Sequence, residues 1–211
     1  MKVWQRDEEV WSIDDILDRN DYVSMLEEFR PHFNNWIFIK KDQDMPIDPG
    51  EDIIHYPKWG QHVKHGGGEQ GIGDNLFFIK IGELLKYKVV QRLLRKNVEL
   101  KRVNTNIQFP QQESTMHLDS GHNGWTMLLF VCPYWNPQWG GEFQVQSDDS
   151  KMHYVAYNAN CGALINGNLL HRGMAPNHIS PIERMSIAYT YKEIGNENYD
   201  RPTSESRNRN S

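Results

Sequence analysis

Apolar positions change their period near residue 98. Before it they recur at helical spacing; after it they alternate or run in short blocks divided by turn residues. Ser12 followed by Ile13, Ile16 and Leu17 reads as a capped amphipathic helix. A second short helix over about 21–29 sets Val23, Leu26 and Phe29 on one face, and Pro31 ends it. Trp36 to Ile39 is apolar and β-prone and reads as a strand. Residues 42–74, rich in Asp, Pro, Gly and His, read as a long loop. Asp74 or Asn75 then opens a helix to about Lys96, striped by Leu84, Leu85, Val89, Val90, Leu93 and Leu94.

Strand-like runs follow at about 98–109, 115–118, 125–133, 141–147, 152–158, 162–167, 169–173 and 183–192. Turn chemistry divides them: Pro110, Asp119-Ser120-Gly121, Pro133 to Gly141, Asp148-Asp149 and Asn158 to Gly162. Many short strands at close spacing predict a β-sandwich or barrel of jelly-roll type behind flanking N-terminal helices. The expected organisation is one domain. Residues 1–97 form a helical and loop portion packed on a β core at 98–193, and 194–211 form an Asn-, Arg- and Ser-rich disordered tail. No internal repeat is visible.

Within this pattern one group of residues has chemistry. On an extended segment, His117 and Asp119 point the same way, so an imidazole and a carboxylate converge. His171, at the end of a later apolar strand, offers a third ligand. Two His and one carboxylate on one face of a metal leave three positions open, which suits non-haem Fe(II) more than the closed tetrahedron of structural zinc. A His-x-Asp pair taken alone arises by chance, with Asp119 capping a turn and His117 in a core. Arg184 adds a second, independent element. It opens the strand Arg184-Met185-Ser186-Ile187-Ala188-Tyr189, where Arg184 and Ser186 share a face. An inward guanidinium needs a partner, and its fork matches a carboxylate bidentately, with the Ser186 hydroxyl as a further donor.

His117-x-Asp119, His171 and Arg184-x-Ser186 together resemble the Fe(II)- and 2-oxoglutarate-dependent oxygenase superfamily. The segment WTMLLFVCPYWNPQWGGEF, with Trp135-Asn136-Pro137 and then Gly140-Gly141-Glu142, resembles its prolyl-4-hydroxylase-like branch. The resemblance covers about residues 98–193. It implies a double-stranded β-helix (jelly roll, cupin-like), with His117, Asp119 and His171 as metal ligands and Arg184 and Ser186 on 2-oxoglutarate. It also implies Fe(II), 2-oxoglutarate and O2 as reactants, ascorbate as a candidate accessory reductant, and C–H hydroxylation with release of succinate and CO2. Asp119 argues for hydroxylation, since related halogenases leave that position empty for chloride.

Two departures stand out. Where prolyl hydroxylases often carry a cosubstrate-contacting Tyr, this chain has Asn106 and Gln108 in the first such region and Leu129 in the second. Either Asn106 or Gln108 is then a candidate contact for the far carboxylate. Animal collagen-type prolyl hydroxylases use Lys where this chain has Arg184, which moves the expectation away from a collagen-like substrate.

Composition narrows partners rather than chemistry. Net charge is -5, against a nucleic-acid surface. The locally basic stretch 86–102 reads as a solvated helix face. Cys132 and Cys161 lie in apolar runs and read as reduced core residues. The N-terminal MKVWQRDEEV is too polar for a signal peptide, and no apolar run is long enough for a membrane span, so a soluble cytoplasmic protein is expected. Tyr134, Trp135 and Trp139 are equally candidates for a substrate entrance and for core packing. His62 and His65 read as a surface loop or a substrate-facing lid. His122 and His178 have poor spacing for the metal, and His55 and His153 carry no pattern.

The primary substrate stays open among a peptidyl proline, another protein side chain, a free amino acid, a small metabolite and a nucleic acid. The rival readings are a non-oxygenase metal-binding cupin and a structural jelly roll.

Overall fold

The computed structural model describes residues 1–29, 37–39, 58–64, 76–112, 114–119 and 124–195, with backbone alone described at 37–39 and 58–64. Its strands are β1 (Lys2–Asp7), β2 (Val10–Asp14), β3 (Ile37–Ile39), β4 (Lys58–Lys64), β5 (Val98–Gln108), β6 (Gly124–Phe130), β7 (Phe143–Gln146), β8 (Met152–Val155), β9 (Gly162–Asn166), β10 (Leu170–Gly173) and β11 (Arg184–Glu193). Helix α1 spans Arg19–Phe29. Helix α2 runs through Leu76–Leu85, Lys86–Val90 and Gln91–Leu94, its middle turn in π geometry. No described helix is long and apolar enough to cross a membrane.

Eight strands form one antiparallel sheet in the order β1-β2-β9-β6-β11-β5-β4-β3, and β10-β7-β8 form a second. The large sheet is covered on both faces. Met127, Leu129, Ile187 and Tyr189 meet Met25, Phe29, Phe78, Leu85 and Val89 of the two helices. On the opposite face Leu128, Phe130 and Ala163 meet Phe143, Val145 and Val155 of the small sheet. Burial on both faces is why β6, Gly-Trp-Thr-Met-Leu-Leu-Phe, is buried at every position instead of alternating.

A bulge in β5 sets the face on which its polar residues stand. Thr190 of β11 pairs with Arg102, but Tyr191 pairs with Leu100, so Lys101 is an extra residue. One inserted residue shifts the side-chain phase by one. Val98 and Leu100 before the bulge, and Val103 and Ile107 after it, therefore all pack on the helix side. Arg102, Asn104, Asn106 and Gln108 face the other way and line one cavity between the sheets.

The mainly β architecture and the β-rich second half agree with the sequence. The N-terminal elements differ. Residues 10–14 are strand β2 rather than part of a helix, because Val10 to Ile13 pair with Ile165 to Gly162 of β9. Asp15 then turns at φ 52, and Asn160 accepts from the Ile16 and Leu17 N–H groups through its backbone and side-chain oxygens. The helical spacing of Ile13, Ile16 and Leu17 thus comes from a strand followed by a turn. Residues 2–14 consequently belong to the large sheet and do not flank it as helix.

In α1 the buried face is Tyr22, Met25 and Phe29, while Val23 is exposed. In α2 Leu84 is exposed, and Leu85, Val89 and Val90 enter the core across the π turn. Residues 115–118 are no strand: His117 forms a single bridge to His171. The expected loop at 42–74 contains strand β4, paired with β5. His55, His65, His122, the helix start at 74–75 and the tail from 196 lie outside the described residues.

Candidate metal and carboxylate site

The bridge between His117 and His171 brings the first two donors together. Each backbone N–H donates to the other's carbonyl, at 3.0 and 2.9 Å, which sets the ring centroids 4.6 Å apart. The Nδ1 of His171 lies 2.8 Å from the Leu169 carbonyl, and the Nδ1 of His117 lies 2.9 Å from that of Thr115. A carbonyl only accepts, so each Nδ1 carries the proton and Nε2 becomes the donor atom for a metal.

Asp119 follows on the same segment, its N–H donating to the Gly167 carbonyl at 3.2 Å. One ligand atom from each of His117, Asp119 and His171 lies within 4.8 Å of the others. Such a donor set fits a divalent ion held on one face.

Asp119 is held through both oxygens. Thr126 Oγ1 donates to Oδ2 at 2.5 Å, and Arg102 Nη2 donates to Oδ1 at 3.2 Å. Burial acts to raise its pKa, but charge on His171, the Thr126 hydrogen bond, Arg102 and His117 outweigh it and hold the carboxyl below its ordinary value. Arg102 was expected on a solvated basic face and lies here instead. Much of the rest of that stretch is paired: Lys86 with Glu83, Lys96 with Glu193 and Lys101 with Glu99.

The other end of the cavity is the inner end of β11. Arg184 is 3% exposed. Its Nε donates to the Gly141 carbonyl at 2.8 Å and its Nη1 to Gln108 Oε1 at 2.9 Å, with Ser186 Oγ at 3.4 Å. Its guanidinium lies 4.9 Å from the Tyr157 ring centroid and 5.2 Å from that of Phe130. Among the described residues no carboxylate forms an ion pair with it within 4 Å, and Glu142 acts on it only from farther away. Burial lowers its pKa to about 10, so it remains a cation at neutral pH. A buried charge without a counter-ion costs several kcal/mol on the order-of-magnitude scale for buried ions, which makes this end a place for an anion.

Gln108 is placed by its own bonds. Its Nε2 donates to the Gly173 carbonyl at 2.9 Å and sits 3.3 Å from Ser114 Oγ and from the Gln112 carbonyl. With Oε1 on Arg184, its amide is occupied on both sides, so it orients the guanidinium. Asn106, one step along the same face, lines the cavity with Ser186 opposite it in register.

Gly141 has φ +82, and a Cβ there would lie 3.1 Å from Trp135 Cζ2 and 3.6 Å from Arg184 Cδ. Only glycine accepts that backbone without strain while leaving both neighbours in place. A Cβ on Gly173 would meet Arg184 Nη1 and Gln108 Oε1, each at 2.9 Å.

The cavity between the two ends holds about 100 Å³. Leu128, Ala188 and Phe143 supply its apolar wall between the donor set and Arg184. Trp135 and Trp139 are not at an entrance. Both are buried in the core on the small-sheet side, and Trp135 stacks edge-on to Tyr157 at 4.4 Å. Tyr134 alone of the three is exposed. His178 lines a separate cleft with Gln111 and Glu142, and His153 lies 3.2 Å from Asp7, both apart from the donor set.

Arg102, Thr126, Gly141 and Gly173 were not picked out from the sequence as site residues. The local signal for Arg102 is a shift in phase along the strand, with Val98 and Leu100 at even positions before Lys101-Arg102 and Val103 and Ile107 at odd positions after it.

No protein-family model matches the sequence, and a search of curated proteins finds no match. Solved structures do match in fold. A Pseudomonas putida prolyl-4-hydroxylase superposes with a TM-score of 0.60 at 17% identity, over 89% of this chain and 94% of that one. A Trichoplax adhaerens prolyl hydroxylase, in complex with a hypoxia inducible factor peptide fragment, superposes with a TM-score of 0.60 at 14% identity, over 88% and 84%. The non-heme alpha-ketoglutarate-dependent epimerase SnoN from nogalamycin biosynthesis superposes with a TM-score of 0.62 at 9% identity, over 87% and 77%.

Proposed function

We propose that the chain is an Fe(II)- and 2-oxoglutarate-dependent oxygenase on a double-stranded β-helix, of prolyl-4-hydroxylase-like type. The observation that carries this reading is the pairing of two features in one cavity: a His-Asp-His donor set, and a buried guanidinium with no carboxylate of its own. A metal site alone would serve a non-oxygenase cupin equally well. Such a protein has no use for Arg184 at the far end, whose burial without a counter-ion is costly unless a ligand brings one.

In this reading His117 and His171 hold the ion through Nε2, and Asp119 through a carboxylate oxygen. Arg184 and Ser186 take the far carboxylate of 2-oxoglutarate, while Gln108 and the Gly141 carbonyl fix the guanidinium so that its remaining N–H groups turn to the ligand. Leu128, Ala188 and Phe143 exclude water along the cosubstrate. Bound Fe(II) supplies the redox chemistry that couples O2 and decarboxylation of 2-oxoglutarate, giving succinate and CO2, to hydroxylation of a substrate C–H. Residues 98–193 carry the site, strands β1 to β4 extend the same large sheet, and α1 and α2 pack on it.

The fold is shared with prolyl hydroxylases and with an epimerase, so it does not by itself choose the outcome at carbon. The peptide-bound neighbour and the Trp135-Asn136-Pro137 segment favour a peptidyl prolyl or other protein side chain over a free amino acid or small metabolite.

The test is Fe(II)-dependent succinate release from 2-oxoglutarate by the purified chain, first alone and then with peptide and amino-acid libraries. Asp119→Ala is expected to abolish it. The ligand's loss exceeds the roughly 10–100-fold effect typical of an outer-shell partner. Normal turnover by that variant refutes the assignment.

A further inference from the structure

We infer that the primary substrate carries a carboxylate close to the carbon that reacts, and that Arg102 binds it beside the ion. The inference rests on the reading of the cavity as an iron and 2-oxoglutarate site, and it goes beyond that reading by naming a substrate class.

Two guanidiniums line the cavity, one at each end, and between them β5 offers the neutral amides of Asn104 and Asn106. The two differ in exposure. Arg184 is buried, whereas the Arg102 side chain is 25% exposed. Arg184 thus suits a ligand that is enclosed, and Arg102 one that arrives from solvent.

Before an ion binds, Arg102 is balanced by Asp119, its Nη2 lying 3.2 Å from Oδ1. Among the described residues that line the cavity, Asp119 is the one carboxylate. A divalent ion adds two positive charges beside this balanced pair, with both imidazoles neutral as ligands. The near carboxylate of 2-oxoglutarate returns one, since its far carboxylate is matched by Arg184. One positive charge is left in surplus at the Arg102 end, in a space only partly open to water, where such a charge is costly. The other acids nearby are engaged elsewhere: Glu99 with Lys101, Glu193 with Lys96, and Glu142 in a separate cleft beyond Arg184. A substrate with a single negative charge closes the balance.

Arg102 does not have to leave Asp119 for this. A guanidinium presents five N–H groups, and the contact to Oδ1 uses one nitrogen. Because that nitrogen is in contact with a metal ligand, a carboxylate on the same fork lies within a few ångströms of the ion, and its neighbouring carbons are the ones presented for reaction.

Holding Asp119 does not by itself call for a cation. Thr126 already supplies a neutral donor, and the charge of Arg102 works against a divalent ion a few ångströms away. The fold nevertheless turns Arg102 into the cavity through the Lys101 bulge. An anionic substrate accounts for the charge.

The test uses the full chain with Co(II) and saturating 2-oxoglutarate under argon, so that nothing turns over. Binding near the ion is read from paramagnetic broadening of probe resonances. One set of probes is the N-acetyl amino acids, each as acid and as amide. The other is end-blocked tripeptides with Asp or Glu against the same peptides with Asn or Gln. The best acid is expected to bind about tenfold or more tighter than its amide, the worth of a charge-assisted hydrogen bond. A preference in the first set identifies an α-carboxylate, and one in the second an acidic side chain. Amides that bind as tightly as acids in both sets overturn the inference.

Arg102→Gln keeps an N–H donor for Asp119 but no charge. It is expected to erase the preference for acid over amide, while a purely structural loss weakens both alike. Arg102→Lys keeps the charge without the fork and is expected to retain a preference lowered a few-fold. If Arg102→Gln does not fold, Arg102→Lys together with the parent ratio decides. A preference that neither replacement alters places the carboxylate elsewhere and refutes the role of Arg102. A parent protein that binds no Co(II), or that binds Co(II) but not 2-oxoglutarate, sinks the underlying reading of the cavity, a result distinct from a loaded site with no taste for acids.

Discussion

At one end of the cavity a buried cation, Arg184, is surrounded by neutral acceptors. At the other a carboxylate, Asp119, lies among Arg102, His117 and His171. The two ends face each other across Leu128 and Ala188 in the same space between the sheets. Charge at the Asp119 end is compensated by the protein, so that end is assembled before any ligand arrives. Charge at the Arg184 end has no carboxylate paired with it, Glu142 acting only from a distance, and its geometry is fixed by the Gly141 carbonyl and the Gln108 amide instead. A site that keeps one end balanced and the other in deficit suits a resident ion and an exchanging anion. Its expected behaviour is independence: changes at Arg184 alter anion binding and spare the ion.

The largest expected effect follows from removing the cation. Arg184→Met keeps much of the side-chain volume against Phe130 and Tyr157 but leaves the ligand carboxylate without its partner. Truncating one member of a buried, hydrogen-bonded charge pair costs about 2–5 kcal/mol, roughly 30-fold or more in 2-oxoglutarate affinity. Co(II) affinity, measured by titration on the same preparation, is expected to stay within a few-fold. A parallel loss of ion affinity would show that the ends are coupled and the contrast between them false.

A finer version leaves Arg184 in place and changes its balance. In Gln108→Glu the guanidinium acquires an internal anion on Nη1, so its fork remains but its deficit ends. Affinity for 2-oxoglutarate is expected to fall about tenfold by calorimetry, less than in Arg184→Met, because some N–H groups still face the ligand. Unchanged affinity would mean that fork shape alone selects the carboxylate.

The same contrast explains what could be read from the sequence. His117, Asp119 and His171 are legible because a metal demands particular atom types, and residues two apart on an extended segment share a face. Arg184 and Ser186 are legible for the same reason. What holds them is not. Arg102 and Gln108 reach the cavity only because Lys101 bulges from β5, and a bulge is a property of pairing with β11, of which the sequence shows no more than a shift in the phase of the apolar positions. The choice between Asn106 and Gln108 was undecidable for a related reason. Both stand on the same face, and the bond to Arg184 that separates them joins β5 to β11. At the other extreme, Ile13, Ile16 and Leu17 had convincing helical spacing, yet pairing of residues 10–13 with β9 overrode it. Trp135 and Trp139 were ambiguous because a large aromatic in a loop is equally suited to an entrance or a core; Tyr157 and Gly141 settle the matter by packing against Trp135.

The smallest effect separates backbone strain from site geometry. Gly140 and Gly141 both have positive φ, 69 and 82, but their surroundings differ. A Cβ on Gly140 would have its nearest neighbours, oxygens of Ala175 and Glu142, at 3.9 Å, whereas one on Gly141 lies 3.1 Å from Trp135 and 3.6 Å from Arg184. Each substitution by Ala is expected to cost about 1–3 kcal/mol of stability through strain alone, seen as a lower melting temperature. Only Gly141→Ala also displaces the carbonyl that holds Arg184 Nε, so it alone is expected to weaken 2-oxoglutarate binding, by a few-fold. Equal cosubstrate affinity in the two variants would mean that the Gly141 carbonyl does not orient Arg184, and that the uncompensated end is held by Gln108 alone.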